Sequence, residues 1–205
     1  MSGSALLAAP LLLRVSPAAA ASLTAGFIYV GPRDDFGYNQ SHAEGAAALK
    51  AMDGITVLEE ENVPESNDVV KSMESMIQLD GAKVIFATAF GYWPFAKELA
   101  AKYPEVLFIH AGGLWKDGDP ENTVGYRGFL EEPHYICGVA AGHMSKTGKL
   151  GFVGAKPLYF IFNNANAFIM GARSVNPDIT CQVVITGDWD NPVKEAETVN
   201  AMIDQ

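Results

Sequence analysis

The chain has 205 residues, of which 49% are hydrophobic and 19% are charged, and this balance is that of a soluble globular protein rather than a disordered one. It carries 14 Lys and Arg against 24 Asp and Glu, for a formal net charge of -10. Because sequence-independent binding to DNA or RNA depends on clustered Lys and Arg that neutralise phosphates, this charge argues against nucleic acid as a partner.

The first 22 residues have the features of a secretory signal peptide. The apolar run Ala5–Leu13 is followed by Arg14 and by the small residues 16–21, which suit signal peptidase. A membrane-spanning helix needs about 20 apolar residues, so this run is too short to cross a bilayer. No cysteine follows it that could carry a lipid anchor. We therefore expect an exported, soluble, periplasmic protein whose mature chain begins near Ala21 or Ser22, with a disordered leader as the alternative.

Strand and helix patterns alternate between residues 24 and 110. Apolar runs typical of buried strands lie at Thr24–Val30, Ile55–Glu60, Lys83–Ala87 and Val106–His110. Helical patterns lie between them at Gln40–Met52, Ser66–Leu79 and Tyr92–Tyr103. Because repeated βα units form parallel sheets with helices on both faces, this half predicts a doubly wound α/β lobe.

The alternation is interrupted and then starts again in the second half. A polar loop at 114–122 precedes a short strand at Thr123–Tyr126 and a helix at Glu131–Met144. Further elements are a strand at Leu150–Val153, a helix at about 160–174, a strand at Thr180–Thr186 and a helix from about Pro192. We place a boundary near 147, with an N-terminal lobe and crossover helix over 23–147 and a C-terminal lobe over 148–205. With two βα units and no helix stop signal, the second lobe is expected to be incomplete here.

Sequence motifs of common enzymes and metal sites are missing. There is no G-x-S-x-G elbow, no G-x-G-x-x-G after a strand and no H-E-x-x-H. The cysteines, Cys137 and Cys181, have no Cys or His partner at metal-ligand spacing and are predicted to be small buried hydrophobes, with a disulfide as the alternative. We therefore expect no metal ion and no other cofactor.

Aromatic and polar residues follow three of the predicted strands. They lie at Asp34–Gln40, at Thr88–Tyr92 and at Gly187–Pro192. Open parallel sheets bind ligands at the carboxyl ends of their strands, so we expect these loops to face one cleft. Aromatic rings there could sandwich a flat ring, and carboxylates and amides could bind its edge. The pattern predicts a site for a small, neutral, aromatic ligand.

Five segments in a fixed order carry a family resemblance. They are residues 29–45, 84–92, 135–155 and 166–179, and the run W-D-N-P-x-K-E-A-E from Trp189. In this order they resemble the basic membrane protein (BMP) family of ABC-transporter substrate-binding proteins, over Thr24 to Gln205. The chain differs from the relatives it resembles at Pro157–Asn164, which is largely apolar where those relatives carry a charged segment with Glu and Arg.

The resemblance implies a fold, a ligand and a set of contacts. The fold is the type I periplasmic binding protein fold of two doubly wound lobes, and the ligand is a purine nucleoside or nucleobase bound between them. The implied ligand-binding residues are Asp35, Phe36, Tyr38, Asn39, Phe90, Gly91 and Trp189. The pattern of polar residues after the strands adds Asp190 to this predicted set. The implied partner is an ABC permease in the membrane.

The sequence therefore predicts an extracytoplasmic solute-binding protein that performs no chemistry and is a monomer when full length. The alternative is a nucleoside-processing α/β enzyme, such as a hydrolase, that uses Asp34, Asp35 and Asp190 as acid–base groups or metal ligands. A sensor domain of a regulator is the third hypothesis.

Overall fold

The computed structural model describes residues 22–113 and 115–204. Apart from Ser22, the predicted signal peptide at 1–22 lies outside the described residues. The strands are β1 (Leu23–Ile28), β2 (Ile55–Glu60), β3 (Val84–Ala87), β4 (Leu107–Ala111), β5 (Thr123–Tyr126), β6 (Lys149–Gly154) and β7 (Thr180–Ile185). The helices are α1 (Tyr38–Lys50), α2 (Asn67–Gln78), α3 (Trp93–Lys102), α4 (Glu131–Met144), α5 (Tyr159–Val175) and α6 (Pro192–Ile203), and Phe90–Tyr92 forms a 3₁₀ turn. Every predicted strand and helix is present, with ends shifted by at most two residues.

The chain divides into two compact units, one ending at Gly125 and the other beginning at Tyr126. Helix α4 belongs to the second unit because it packs against α5. The sequence predicts a boundary near 147, after α4. In the structure the division comes before α4.

The first unit contains a sheet with the strand order β2-β1-β3-β4-β5. Strand β1 runs parallel to β2 and β3, and β3 runs parallel to β4. The register places Ile28 beside Ala87, and Ala87 beside His110. The carboxyl ends of β1, β3 and β4 therefore lie together at one edge of the sheet.

Helices cover both faces of this sheet. On one face, Ile28 and Phe108 pack with α2 and α3 in a core that includes Met73 and Leu99. On the other face, Phe27 and its neighbours Tyr29 and Val57 pack against Ala46 of α1. Because successive strand residues point to opposite faces, both faces are apolar and both need a helical layer. The predicted doubly wound α/β architecture is confirmed for this unit.

The second unit contains the parallel pair β6 and β7 with helices α4, α5 and α6. Helices α4 and α5 approach so closely that a Cβ on Gly138 would overlap the carbonyl oxygen of Phe168. A Cβ on Gly142 would lie 2.7 Å from the carbonyl oxygen of Ala172. Glycines thus permit direct contact between the two helix backbones.

The cysteines differ from the prediction. Cys137 is exposed, Cys181 is half-buried, and both are free thiols. The prediction that both are buried was wrong because α4 packs on α5 through its face at Gly138 and Gly142, not through Cys137. None of the helices within the described ranges combines the length and apolarity that a bilayer crossing requires.

Candidate ligand-binding site

The loop after β1 is organised by the carboxylate of Asp35. One oxygen accepts hydrogen bonds from the backbone N–H groups of Gly37 (2.9 Å) and Gln40 (3.0 Å). The other accepts from the backbone N–H and the side-chain amide of Asn39, both at 2.9 Å. These bonds cap the first turn of α1, whose N–H groups have no partner within the helix. They also fill the roughly four acceptor positions that a carboxylate offers.

Asp35 stays ionised in this position. Burial acts to raise the pKa of its carboxyl group, but the N–H donors of Asn39, Gln40 and Gly37 outweigh burial and leave the pKa below its ordinary value. A negative charge at a helix N-terminus is favourable. The structure therefore gives Asp35 a capping role, and its predicted contact with a ligand stays a prediction.

Phe36 has an unusual backbone conformation, with φ at 56°. This left-handed region is uncommon for residues other than glycine. The bonds from Gly37 and Asn39 to the Asp35 carboxylate close the turn around Phe36 and hold it in place. As a result the Phe36 side chain is 94% exposed at the edge of the sheet. Strained backbone that presents an aromatic ring is typical of functional loops.

Tyr38 connects the loop after β1 to the loop after β3. Its hydroxyl donates a hydrogen bond of 2.6 Å to the carbonyl oxygen of Thr88, and its ring lies 4.6 Å from the imidazole of His42 between centroids. The Thr88 hydroxyl donates in turn to the carbonyl oxygen of Ile28 at 2.6 Å. The loops after β1 and β3, which the sequence predicts to meet, are therefore joined by a direct hydrogen bond between Tyr38 and Thr88.

Asn39 presents an unsatisfied acceptor in the same loop. The residue is 3% exposed, and its Nδ2 donates to Asp35, which fixes the orientation of the amide. Its Oδ1 is buried and has no hydrogen-bond partner within the described part of the chain. A buried acceptor without a donor costs about 1–3 kcal/mol. A ligand N–H or O–H group that reached this oxygen would recover that energy.

Phe90 and Gly91 lie in the 3₁₀ turn that follows β3. The backbone N–H of Gly91 donates to the carboxylate of Glu65 at 2.6 Å, and a Cβ at Gly91 would overlap that carboxylate. The Phe90 ring lies against Gly112, where a Cβ would come within 2.9 Å of the ring. Gly112 also has a φ of 122°, which favours glycine.

His110 and Glu65 support this turn, and sequence reasoning missed both. His110 is fully buried, and its Nε2 lies 3.0 Å from the carbonyl oxygen of Ala89 and 3.1 Å from that of Phe90. The Trp93 ring packs against the imidazole, with 5.0 Å between centroids. The one available signal for His110 was an imidazole at the carboxyl end of an apolar strand.

Trp189 lies in the second unit, in the loop after β7. Its ring is nearly parallel to Phe160, at 5° with centroids 6.4 Å apart, and the ammonium group of Lys156 lies 4.8 Å from the ring centroid. Phe160 belongs to the segment at 157–164 in which the chain differs from the relatives it resembles. The Trp189 Nε1 is buried and has no hydrogen-bond partner in the described ranges.

The same loop carries Asp190, which is exposed. Its neighbour Asp188 accepts hydrogen bonds from Lys194 and Asn191, both at 3.3 Å. The Asn191 side chain caps α6 by accepting from the backbone N–H of Lys194 at 3.1 Å. The structure thus places Asp35, Phe36, Tyr38, Asn39, Phe90 and Gly91 in the first unit, and Trp189 and Asp190 in the second.

Arg33, just before the first loop, is paired with two carboxylates. The Arg33 guanidinium lies 3.2 Å from a carboxylate oxygen of Glu59 and forms a second ion pair with Glu61. These three residues and Asp34 line an open groove of about 390 Å³. Over the residues described, no group of three or more His, Cys, Asp or Glu side chains could hold a metal ion.

Comparison with known proteins identifies relatives that are named as binding proteins for small molecules. The chain is 38% identical over 185 residues to a protein of Brucella abortus (strain 2308) named as a purine-binding protein, covering 89% of this chain and 52% of that protein. It is 31% identical over 189 residues to a Haloferax volcanii protein named as a candidate glucose-binding protein of an ABC transporter, covering 92% of this chain and 47% of that one. The chain spans about half the length of these curated relatives.

A solved structure shows the same fold. The crystal structure of an ABC transporter solute-binding protein from Aeropyrum pernix K1 superposes with a TM-score of 0.75 at 22% identity, covering 89% of this chain and 52% of that one. This likeness confirms the predicted fold class of the periplasmic binding proteins. Residues 22–205 match the Bmp family, described as PnrA-like ABC transporter substrate-binding proteins, and the chain therefore belongs to this family.

Proposed function

We propose that the protein is the extracytoplasmic solute-binding component of an ABC importer and that it binds a purine nucleoside or nucleobase. The observation that carries this proposal is the cluster at the carboxyl edge of the first unit's sheet, where Tyr38, Asn39 and Phe90 are held by hydrogen bonds to Thr88, Asp35 and His110, respectively. Family membership supports the transport role, and the name of the Brucella relative supports the purine. Trp189 and Asp190 stay predicted contacts from the second unit.

A purine fits the side chains of this edge better than a sugar does. Purine rings are flat and bind by stacking on aromatic groups with a few hydrogen bonds at the ring edge. A free sugar has no flat ring that could stack on these aromatic groups, and the Asp35 carboxylate, which already accepts four hydrogen bonds from its own loop, is not available to a sugar hydroxyl. The Asn39 Oδ1 is buried and unsatisfied, so it would accept an N–H group from the edge of a purine only if ligand binding opened the loop around it.

The ligand is proposed to be uncharged. Asp35 is ionised, and Arg33, two residues before it in the chain, is paired with Glu59 and Glu61. A phosphate group would need several cations or helix N-termini to offset this negative field, and Asp35 already occupies the N-terminus of α1. Nucleosides or bases are therefore preferred over nucleotides.

The protein is proposed to bind its ligand without altering it. The lowered pKa and filled acceptor positions of Asp35 support a capping role over acid–base chemistry, which the alternative hypothesis of a nucleoside-processing enzyme assigned to it. We propose a periplasmic location, an ABC permease as the partner and a monomeric state for the full-length protein; family membership supports the first two.

Calorimetric titration of the full-length protein with adenosine, inosine, adenine, adenosine monophosphate and glucose tests the proposal. We expect one-to-one binding of a nucleoside or base, weaker binding of the nucleotide and none of glucose. Chromatography of the bound material should recover the ligand unchanged. Preferential binding of glucose or of the nucleotide would contradict the proposed ligand, and recovery of cleaved nucleoside would favour the enzyme.

A further inference from the structure

The turn at Phe90–Tyr92 is held by side chains from elements distant in sequence. The Glu65 carboxylate accepts the N–H of Gly91, and the Tyr38 hydroxyl donates to the carbonyl of Thr88 just before the turn. The Nε2 atom of His110, on β4, lies within hydrogen-bond distance of the carbonyl oxygens of Ala89 and Phe90 in the turn. The position of the Phe90 ring therefore depends on hydrogen bonds made to the backbone of residues 88–91.

We propose that His110 is a positioning residue that holds Phe90 in its ligand-contacting position, and that it does so only as a neutral imidazole. This inference rests on the proposed function, in which Phe90 contacts the ligand. Both groups that face Nε2 are carbonyl oxygens, so Nε2 must carry a proton and donate it. The Nδ1 atom is then the bare nitrogen.

The environment of Nδ1 disfavours a second proton. The atom is buried and has no hydrogen-bond partner within the described ranges. A proton on Nδ1 would bury both a charge and an N–H group that lacks an acceptor. Burial accordingly lowers the pKa of His110, although the carbonyls of Phe90 and Ala89 and the charge of Glu65 act in the opposite direction. The held turn therefore requires the neutral imidazole, although an imidazolium would keep its Nε2–H. Below the ordinary histidine pKa of about 6.5, protonation favours an opened turn in which Nδ1 reaches water, and acid thereby weakens the hold on Phe90.

Few charged groups face this imidazole. Glu65, in the loop between β2 and α2, acts on it electrostatically. The rings of Phe90 and Trp93 pack beside it and carry no charge. The ammonium group of Lys97, on α3, lies 5.4 Å from the centroid of the Trp93 ring and is paired with Asp119. The Tyr92 hydroxyl donates a hydrogen bond to the carbonyl oxygen of Val63, and burial raises the pKa of Tyr92.

Two variants of His110 test its hydrogen-bond donor and its protonation separately. His110→Gln keeps an N–H donor at the position of Nε2 but cannot be protonated near neutral pH, whereas His110→Phe keeps a ring and removes the donor. Inosine affinity is measured from pH 8 to pH 5 for the full-length wild type and both variants. The wild type should lose affinity in acid, and His110→Gln should keep wild-type affinity at pH 8 and lose the acid dependence. His110→Phe should bind about tenfold more weakly at pH 8, as expected for one lost hydrogen bond.

Nitrogen NMR of the histidine side chains in the ligand-free wild type supplies a readout that needs neither a ligand nor a variant. It should show His110 as the neutral tautomer with its proton on Nε2 and with a pKa below that of an exposed histidine. A proton on Nδ1 at neutral pH, or wild-type affinity and pH dependence in His110→Phe, would overturn the inference. So would loss of binding in a folded His110→Gln at pH 8. If the wild type binds no purine while NMR finds the expected tautomer, the proposed function fails and the contact between His110 and the turn remains.

Discussion

The Asp35 carboxylate caps the start of α1 and also fixes the conformation of the loop that precedes the helix. It precedes Phe36 and accepts hydrogen bonds from the N–H groups of Gly37, Asn39 and Gln40 after it, so one side chain caps the helix and fixes the conformation of the Phe36 turn. The capping bonds also place Tyr38 and Asn39 as the first two residues of α1. A single carboxylate thereby positions three of the predicted ligand-binding residues, Phe36, Tyr38 and Asn39.

Asp35→Ala should lower the free energy of unfolding by about 1–2 kcal/mol at pH 7, as loss of an N-cap does in other proteins. Asp35→Asn is the control, because its amide oxygen can still accept one of the N–H groups. The difference between Asp35→Ala and the wild type should shrink in acid. Since folding lowers the pKa of this carboxyl group, its stabilising effect is present above its ordinary value of about 3.9 and is lost as pH falls through the lower, folded-state pKa. Urea denaturation at pH 7 and at pH 3 measures both effects, and equal stability of Asp35→Ala and wild type at pH 7 would contradict the capping role.

Tyr38→Ala should weaken purine binding by the full-length protein. Stacking of a base on an aromatic side chain is worth about 1–3 kcal/mol in single-strand nucleic-acid binders, which corresponds to roughly 5- to 150-fold in affinity. Tyr38→Phe is the matched control, since it keeps the ring and loses only the hydrogen bond to Thr88. The same range applies to Trp189→Ala. Calorimetry that found no change for Tyr38→Ala, or equal losses for Tyr38→Ala and Tyr38→Phe, would count against stacking on this ring.

At the scale of elements, the close crossing of α4 and α5 determines the packing of the second unit. Gly138 and Gly142 lie four residues apart on α4, so they share one face of the helix. On α5, Gly171 faces them, and a Cβ there would overlap the carbonyl oxygen of Tyr135. Neither helix can accept a side chain at these points without separating from the other.

Gly138→Ala should therefore destabilise the protein by about 1–3 kcal/mol, the range for overpacking a well-packed contact. Gly45→Ala is a matched control on α1, where no atom lies within 4 Å of the added Cβ. Alanine is the better helix former by about 1 kcal/mol, so that variant should be slightly more stable than wild type. Thermal and urea denaturation of both variants tests the contrast, and a neutral Gly138→Ala would show that the two helices pack less closely.

The strands and helices were predictable from the sequence because the patterns that indicate them, apolar runs and capping residues, lie within each element. Strands β1 and β3 are buried on both faces and read as continuous apolar runs, and α2 has Ser66 as its N-cap and buried residues at 69, 73, 76 and 77. The support of the Phe90 turn was not predictable. Gly91 is 26 residues from Glu65, and His110 is 20 residues from Phe90, so these contacts depend on strand order and register. The exposure of Cys137 depended in the same way on which face of α4 meets α5.

At the scale of the whole molecule, the two units differ in how their sheets are covered. The last four residues of β1 are buried, and β3 is buried or half-buried throughout, whereas β7 has three exposed residues and no buried one. Apolar contacts that exclude water are what protect amide groups from exchange. The difference in burial therefore predicts unequal protection along the chain.

Amide hydrogen exchange of the 205-residue chain should be slow in β1, β3 and β4 and markedly faster in β6 and β7. Mass spectrometry of peptic fragments measures this directly. The solvent-facing side of α1 provides an internal reference for exposed helix. Uniformly slow exchange across both units would contradict the prediction and would mean that β6 and β7 are covered by contacts that their burial does not show.

Purine binding by the full-length protein is the measurement that tests the proposed function most directly. Calorimetric titration with inosine and with glucose, run in parallel on wild type and Tyr38→Ala, should give one-to-one binding of inosine to the wild type. Glucose should not bind, and inosine affinity should fall by roughly 5- to 150-fold in Tyr38→Ala. Binding of glucose without inosine, or inosine affinity unchanged by Tyr38→Ala, would contradict a purine site built on the carboxyl edge of the first sheet.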